Sequence, residues 1–232
     1  MAVLVTRPER ASAHTAGRLA ALGREVLVEP LLDLHFMPPN RLVPPVPDAV
    51  IITSSNGARA VARHPDLAKL THLPLWTVGS RTSAAARELG FEILRGEAPD
   101  AVGLGALLGA EPAQHFLYLA AENRSADFAV LAPRHTVDVC VVYRATPKHA
   151  LSAETIAALK SGGVTSVLHY SRRLAETYLA LTDAAGIGAE ALRPRHLCLS
   201  EQVAAPLRAA GAREIEVSAE PREDALLALL AG

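Results

Sequence analysis

Short apolar runs recur along the whole chain, and each ends in small polar residues. They cover positions 3–6, 50–53, 75–78, 116–119, 167–169 and 196–199, and most lead into a stretch with helical spacing. Runs this short, rich in valine, isoleucine and leucine and alternating with helices, predict buried parallel strands. Further strands are expected after glycines that end helices: at 24–28 after Gly23, at 91–94 after Gly90 and at 212–217 after Gly211. Glycine just past a helix turns the chain at little steric cost. The fold class that follows is α/β.

The pattern is also copied. Ser80-Arg81-Thr82-Ser83-Ala84-Ala85-Ala86-Arg87-Glu88-Leu89-Gly90 resembles Ser200-Glu201-Gln202-Val203-Ala204-Ala205-Pro206-Leu207-Arg208-Ala209-Ala210-Gly211. Each copy leads to a strand, a short stretch with acid and proline (97–100 and 219–222) and a leucine-rich helix. Upstream, Val50-Ile51-Ile52-Thr53-Ser54 parallels Val167-Leu168-His169-Tyr170-Ser171. The middle of the chain then adds strands at 116–119 and 137–142. The C-terminal part has no room for their counterparts, and the strands at 3–6 and 25–28 supply them. The expected organisation is a discontinuous domain, 1–34 plus 147–232, and an inserted domain, 37–144, with hinges at 32–37 and 142–147. Pro38, Pro39, Pro44, Pro45 and Pro47 make the stretch after the first hinge extended and loop-like. Ligands of open parallel sheets sit beyond the carboxyl ends of the strands. Two such domains on a double hinge are expected to hold one in the cleft between them.

Composition excludes several classes. Acids and bases are interspersed and the net charge is −1, so no basic surface for nucleic acid is expected. No apolar run approaches the ~20 residues of a membrane span. Met1-Ala2-Val3-Leu4-Val5 enters a strand directly, unlike a signal peptide, so a cytoplasmic location is expected. Cys140 and Cys198 sit in apolar runs and are expected as buried, reduced thiols without zinc-binding spacing. His14, His64, His72, His115, His135 and His149 are expected at the surface, and His169 and His196 packed within strands. No phosphate-binding Gly-x-x-x-x-Gly-Lys motif and no Gly-x-Ser-x-Gly elbow occurs.

The chemistry is therefore sought at the strand ends. They carry Thr6 and Arg7; Thr53, Ser54 and Asn56; Gly79, Ser80 and Thr82; Arg124; Tyr143; Ser171 and Arg172; and Ser200. Small residues before a helix let an anion approach the helical N–H groups, and hydroxyls add donors. Ser, Thr and Asn at such places also serve as ordinary helix caps. The same choice at several strand ends favours a shared anionic ligand.

On these residues the chain resembles the uroporphyrinogen-III synthase family. Val3-Leu4-Val5-Thr6-Arg7-Pro8 is similar to its opening strand and turn, and Glu29-Pro30-Leu31-Leu32 to its second strand. Val50-Ile51-Ile52-Thr53-Ser54-Ser55-Asn56-Gly57 resembles its Thr-Ser loop. Val78-Gly79-Ser80-Arg81-Thr82 resembles its Gly-x-x-Thr loop, and Val141-Val142-Tyr143-Arg144-Ala145 its tyrosine segment. The last loop departs: Leu199-Ser200-Glu201-Gln202-Val203 stands where the family often has Gly-x-x-Thr, which leaves Ser200 as the candidate there.

The resemblance implies two similar parallel-sheet βα domains of the flavodoxin or Rossmann kind, joined by a two-stranded hinge. It implies closure of hydroxymethylbilane to uroporphyrinogen III, with ring D inverted and water lost, and with no cofactor and no metal. It also implies a monomer that receives its substrate by transient hand-over from hydroxymethylbilane synthase. The substrate's carboxylates would be held by the strand-end loops, with Arg7, Arg124 and Arg172 able to pair with them bidentately. Tyr143, a phenol that stays protonated near neutral pH, is the candidate general acid; its other reading is a hydrogen-bonded hinge tyrosine. A non-catalytic two-domain sensor of small anions is the alternative. A nucleotide-dependent transferase would need a phosphate loop or an acidic metal-binding pair, and neither is present.

Overall fold

The structure, a computed structural model, describes residues 1–42, 46–124 and 126–231. Pro44 and Pro45 of the expected extended stretch lie outside the described residues. In chain order the strands are β1 (Ala2–Val5), β2 (Glu25–Val28), β3 (Leu32–Phe36), β4 (Ala49–Ile52), β5 (Leu75–Val78) and β6 (Leu94–Ala98), then β7 (His115–Ala121), β8 (Thr136–Pro147), β9 (Val164–His169), β10 (Arg195–Cys198) and β11 (Ile215–Val217). The chain forms two compact units. Unit 1 is Met1–Asp33 with Thr146–Gly232, and unit 2 is Leu34–Ala145.

Unit 1 holds a sheet of order β11-β10-β9-β1-β2, and the other sheet has the order β3-β8-β7-β4-β5-β6. The pairs of β1 with β2 and β9, of β4 with β5 and β7, and of β7 with β8 are all parallel. Residues of the inner strands β1 and β4 are buried throughout, because helices cover both faces of a parallel sheet. The outer strands carry charge instead: Glu25 in β2, Arg95 and Glu97 in β6, and Glu216 in β11. Charged edges resist unwanted strand pairing.

The two orders are one topology. Setting β4, β5, β6, β7 and β8 against β9, β10, β11, β1 and β2 makes the sheets correspond strand for strand. Only the chain break has moved, as the copied sequence requires. Corresponding helix caps are Ser54 with Ser171 and Gly79 with Ser200. The second pair is one residue out of step with the sequence pairing of Ser80 and Ser200. β3 adds to the outer side of β8, where Met37 N–H donates to the Val142 carbonyl.

Some local expectations change. The strand after Gly90 begins at Leu94, not at position 91. Phe91 is buried against Leu70 and Ala86, and its N–H donates to the Ala86 carbonyl, so it closes the helix end instead. At Gly96 in β6 a Cβ would meet the Trp76 ring at 2.4 Å, which explains the glycine. His135 is buried rather than at the surface. Its Nε2 lies 2.9 Å from the Leu108 carbonyl, and its ring meets Phe116 edge-on. Cys198 is buried but Cys140 only half so, and both are free thiols. No helix among the described residues is long and apolar enough to cross a membrane.

Candidate active site

In a doubly wound sheet the crevice for ligands opens where neighbouring strands have connections leading in opposite directions. In unit 2 that place lies between β4 and β7, and in unit 1 between β9 and β1.

A pocket of about 310 Å³ lies at the carboxyl ends of β4 and β7. Thr53, Ser54, Asp100, Tyr118, Asn123, Arg124 and Tyr143 give it polar groups, and Val78, Pro99, Ala101, Ala121 and Ala126 give it apolar wall. The Asp100 carboxylate is engaged at a helix start, where Oδ1 accepts from the Gly103 N–H at 2.7 Å. Strand alternation brings its two phenols from opposite faces of the sheet. Tyr118, on β7, belongs to the core with Ile51 and Phe128; Tyr143, on β8, belongs to the core with Val50 and Val142. The Tyr118 hydroxyl is 2.8 Å from Thr53 Oγ1, and its ring lies edge-on to Phe128 at 5.1 Å. Burial pushes the Tyr118 phenol above its ordinary pKa, so it stays protonated at neutral pH. Tyr143 is 9% exposed, and its carbonyl accepts from the Glu122 N–H. Arg124 is exposed and has no ion pair among the described residues.

Ser54 spends its hydroxyl on the helix start, accepting from the Asn56 N–H at 3.2 Å. That short helix packs hard on β7: a Cβ at Gly57 would stand 2.9 Å from the Leu119 carbonyl. Asn56 Oδ1 accepts from Arg59. At the end of β5, Gly79 takes φ +77°, where glycine is favoured, Ser80 is exposed and Thr82 is buried within the helix. Asn56, Gly79, Ser80 and Thr82 do not line the pocket.

Unit 1 treats the corresponding strand ends differently. Thr6 is fully buried and donates to the Leu168 carbonyl at 3.2 Å, so it offers no exposed hydroxyl. The Arg7 guanidinium lies 4.0 Å over the Tyr170 ring and donates to Glu223 at 2.9 Å. Tyr170 and Thr15 also donate to that carboxylate, at 2.9 and 2.6 Å, and Arg18 pairs with it at 3.3 Å. Burial, and then the Glu223 charge, push the Tyr170 phenol up to about 12. Ser171 caps the next helix by accepting from the Leu174 N–H. Arg172 is exposed and bonds Glu176. Ser200 starts its helix without a side-chain capping bond.

The candidates thus fall into two sets. Thr53, Ser54, Arg124 and Tyr143 meet at one pocket in unit 2, while Thr6, Arg7, Ser171, Arg172 and Ser200 belong to unit 1. Sequence reading missed Tyr118 and Glu223, and passed over Asn123, which stands beside Arg124 after β7. A lone hydroxyl-bearing residue near the end of an otherwise apolar run was the available sign for Tyr118; nothing local marked Glu223. Among the described residues no group of three or more His, Cys, Asp or Glu is placed to hold a metal ion.

The family model for uroporphyrinogen-III synthase HemD matches residues 13–228. No curated protein sequence matches the chain. Among solved structures, the uroporphyrinogen-III synthetase of Helicobacter pylori is 16% identical with a TM-score of 0.68, over 99% of this chain and 97% of its own. A mutant uroporphyrinogen III synthase of Thermus thermophilus is 18% identical with a TM-score of 0.60, over 100% of this chain and 98% of its own. Likeness at these identities is likeness of fold.

Proposed function

The chain belongs to the uroporphyrinogen-III synthase family, and from that premise we propose that the pocket of unit 2 holds a carboxylate-bearing part of the substrate. The reaction is that of a lyase: hydroxymethylbilane loses water, ring D is inverted and the macrocycle closes as uroporphyrinogen III. Left to itself this linear tetrapyrrole closes to the uninverted isomer I. The protein's task is therefore largely to hold the chain so that the substituted position of ring D attacks first, and positioning of this kind can lower a barrier by several kcal/mol.

The observation that carries the site assignment is the meeting of Arg124, Thr53 and two phenols at the switch point of one sheet. Arg124 supplies a charge-assisted contact to an acetate or propionate. Tyr143 is the proton donor for the departing hydroxyl, because a phenol, with an ordinary pKa of about 10, carries a proton to give at neutral pH. Ser54 and Asn56 extend the contact along the same loop, and Gly79, Ser80 and Thr82 along the next. In unit 1, Ser200 is the first contact to consider, since its hydroxyl caps nothing. Ser171 follows it. Thr6, Arg7 and Arg172 would contribute only by leaving the partners described above.

The test is to supply hydroxymethylbilane and separate the isomers formed. Isomer III formed faster than spontaneous closure supports the reading; isomer I alone at the uncatalysed rate refutes it. Tyr143→Phe is expected to lower kcat about 100-fold, as loss of a general acid does, while leaving the Tm near that of wild type. Unchanged turnover would remove Tyr143 as the acid.

A further inference from the structure

We propose that Tyr118 is a positioning residue for substrate: it donates its phenol hydrogen to Thr53 Oγ1 and so aims the threonine O–H into the unit 2 pocket, at a substrate carboxylate. This rests on the reading of that pocket as a carboxylate site.

The first support is a count of hydrogens. Two hydroxyls 2.8 Å apart make one hydrogen bond, which uses one of their two hydrogens. The other O–H is left for a third group. A phenol is a far stronger acid than an alcohol and is the better donor, so Tyr118 donates and Thr53 accepts. Exposure agrees with that direction. Both residues line the pocket, but Tyr118 is only 1% exposed, whereas Thr53 is half-buried and the more open of the two.

The second support is rigidity. Tyr118 sits within β7, in register with Ile51 of β4 on one side and Val139 of β8 on the other. Its ring is wedged edge-on against Phe128. An isolated threonine hydroxyl turns among several rotamers. One held by a fixed phenol is set before the ligand arrives, which reduces the ordering cost of binding. With burial raising its pKa further, the phenol has its hydrogen to donate throughout the neutral range. Arg124 on the same wall offers an anion a charge partner, while the Asp100 carboxylate there is held by the Gly103 N–H.

Tyr118→Phe keeps the ring and removes only the hydroxyl. Steady-state kinetics with hydroxymethylbilane should show KM raised about fivefold, the worth of one ordinary hydrogen bond. The change should fall on KM rather than kcat. Thr53→Val should raise KM at least as much, and the double variant should be no worse than Thr53→Val alone, because the two hydroxyls act as one donor. A purely structural Tyr118 would lower Tm and leave KM alone, and that result overturns the proposal. Additive losses in the double variant also overturn it. Should KM ignore Arg124→Ala and Thr53→Val as well, the carboxylate reading of the pocket itself fails.

Discussion

The carboxyl ends of β4 and β7 border a pocket of about 310 Å³, with an exposed arginine among its walls. At the corresponding ends of β9 and β1, Tyr170 and Arg7 stack on each other and share Glu223. The register places the difference in single residues. Tyr118 stands beside Ile51 in one sheet, and Val5 stands beside Leu168 in the other. Thr53, just past β4, corresponds to Tyr170, just past β9. So one half carries its phenol within the strand and leaves the strand end small. The other carries its phenol at the strand end and binds it to a carboxylate of its own. Topology fixes where a ligand can enter such a sheet, and the side chains at that place decide whether it is left open. The copied half has kept the place and set there an arginine and a phenol bound to its own carboxylate.

The most disruptive way to test this contrast is Glu223→Ala. It strips Arg7, Arg18, Thr15 and Tyr170 of their common acceptor at a carboxylate only 11% exposed. Loss of one partner from a largely buried ionic cluster is expected to cost about 3 kcal/mol, read from urea unfolding. A loss within the error of the measurement would mean that the cluster is incidental.

Acid should separate the halves next. Unit 1 packs His169 against His196, Nε2 to Nδ1 at 3.0 Å, where unit 2 has the apolar Ile52 in the place of His169. Burial lowers both histidines, His196 to about 4 and His169 well below its usual value, with the neighbouring ring adding to the effect on His169. An unfolded histidine takes a proton near pH 6.5, whereas the folded pair resists it. Stability contributed by the pair is therefore complete above about pH 7 and is lost as pH falls below the unfolded value. His196 alone accounts for about 2 kcal/mol between pH 7.5 and pH 5. Hydrogen exchange should show β9 and β10 losing protection before β4 and β5. Equal loss in both sheets would contradict the pair's role.

Smallest in energy is Arg124→Ala. The side chain is exposed, so stability should hold, while KM for hydroxymethylbilane rises about tenfold through loss of a charge-assisted contact. The same change at Arg172, an exposed residue already bonded to Glu176, should alter KM far less. Equal effects would erase the distinction between the halves.

Much of this was readable from the amino acids because a buried parallel strand leaves little freedom in its composition. β5 falls on an apolar run, β2 falls at the strand expected after Gly23, and the copied segments carry the same strand order in both sheets. Phe91 misled because an apolar residue after a helix-ending glycine can start a strand or plug the helix end, and only tertiary packing decides. Thr53, Ser54 and Arg124 were legible as strand-end residues; Tyr143 was expected at a strand end too, but β8 runs on past it to Pro147. Tyr118 was not, because within a strand an aromatic reads as core, and here it is core along its ring and site only at its oxygen. Glu223 was out of reach: its bond to Arg7 spans 216 positions, and no local pattern encodes such a partner.

We expect the switch point of unit 2, rather than its counterpart at Arg7 and Tyr170, to take the substrate's carboxylates. Amide NMR of the labelled protein titrated with uroporphyrinogen III tests it most directly. The largest shifts are expected at Thr53, Ser54, Tyr118 and Arg124, with Thr6, Arg7 and Tyr170 moving least. Shifts concentrated on Arg7, Tyr170 and Glu223, with Thr53 and Arg124 still, would contradict it.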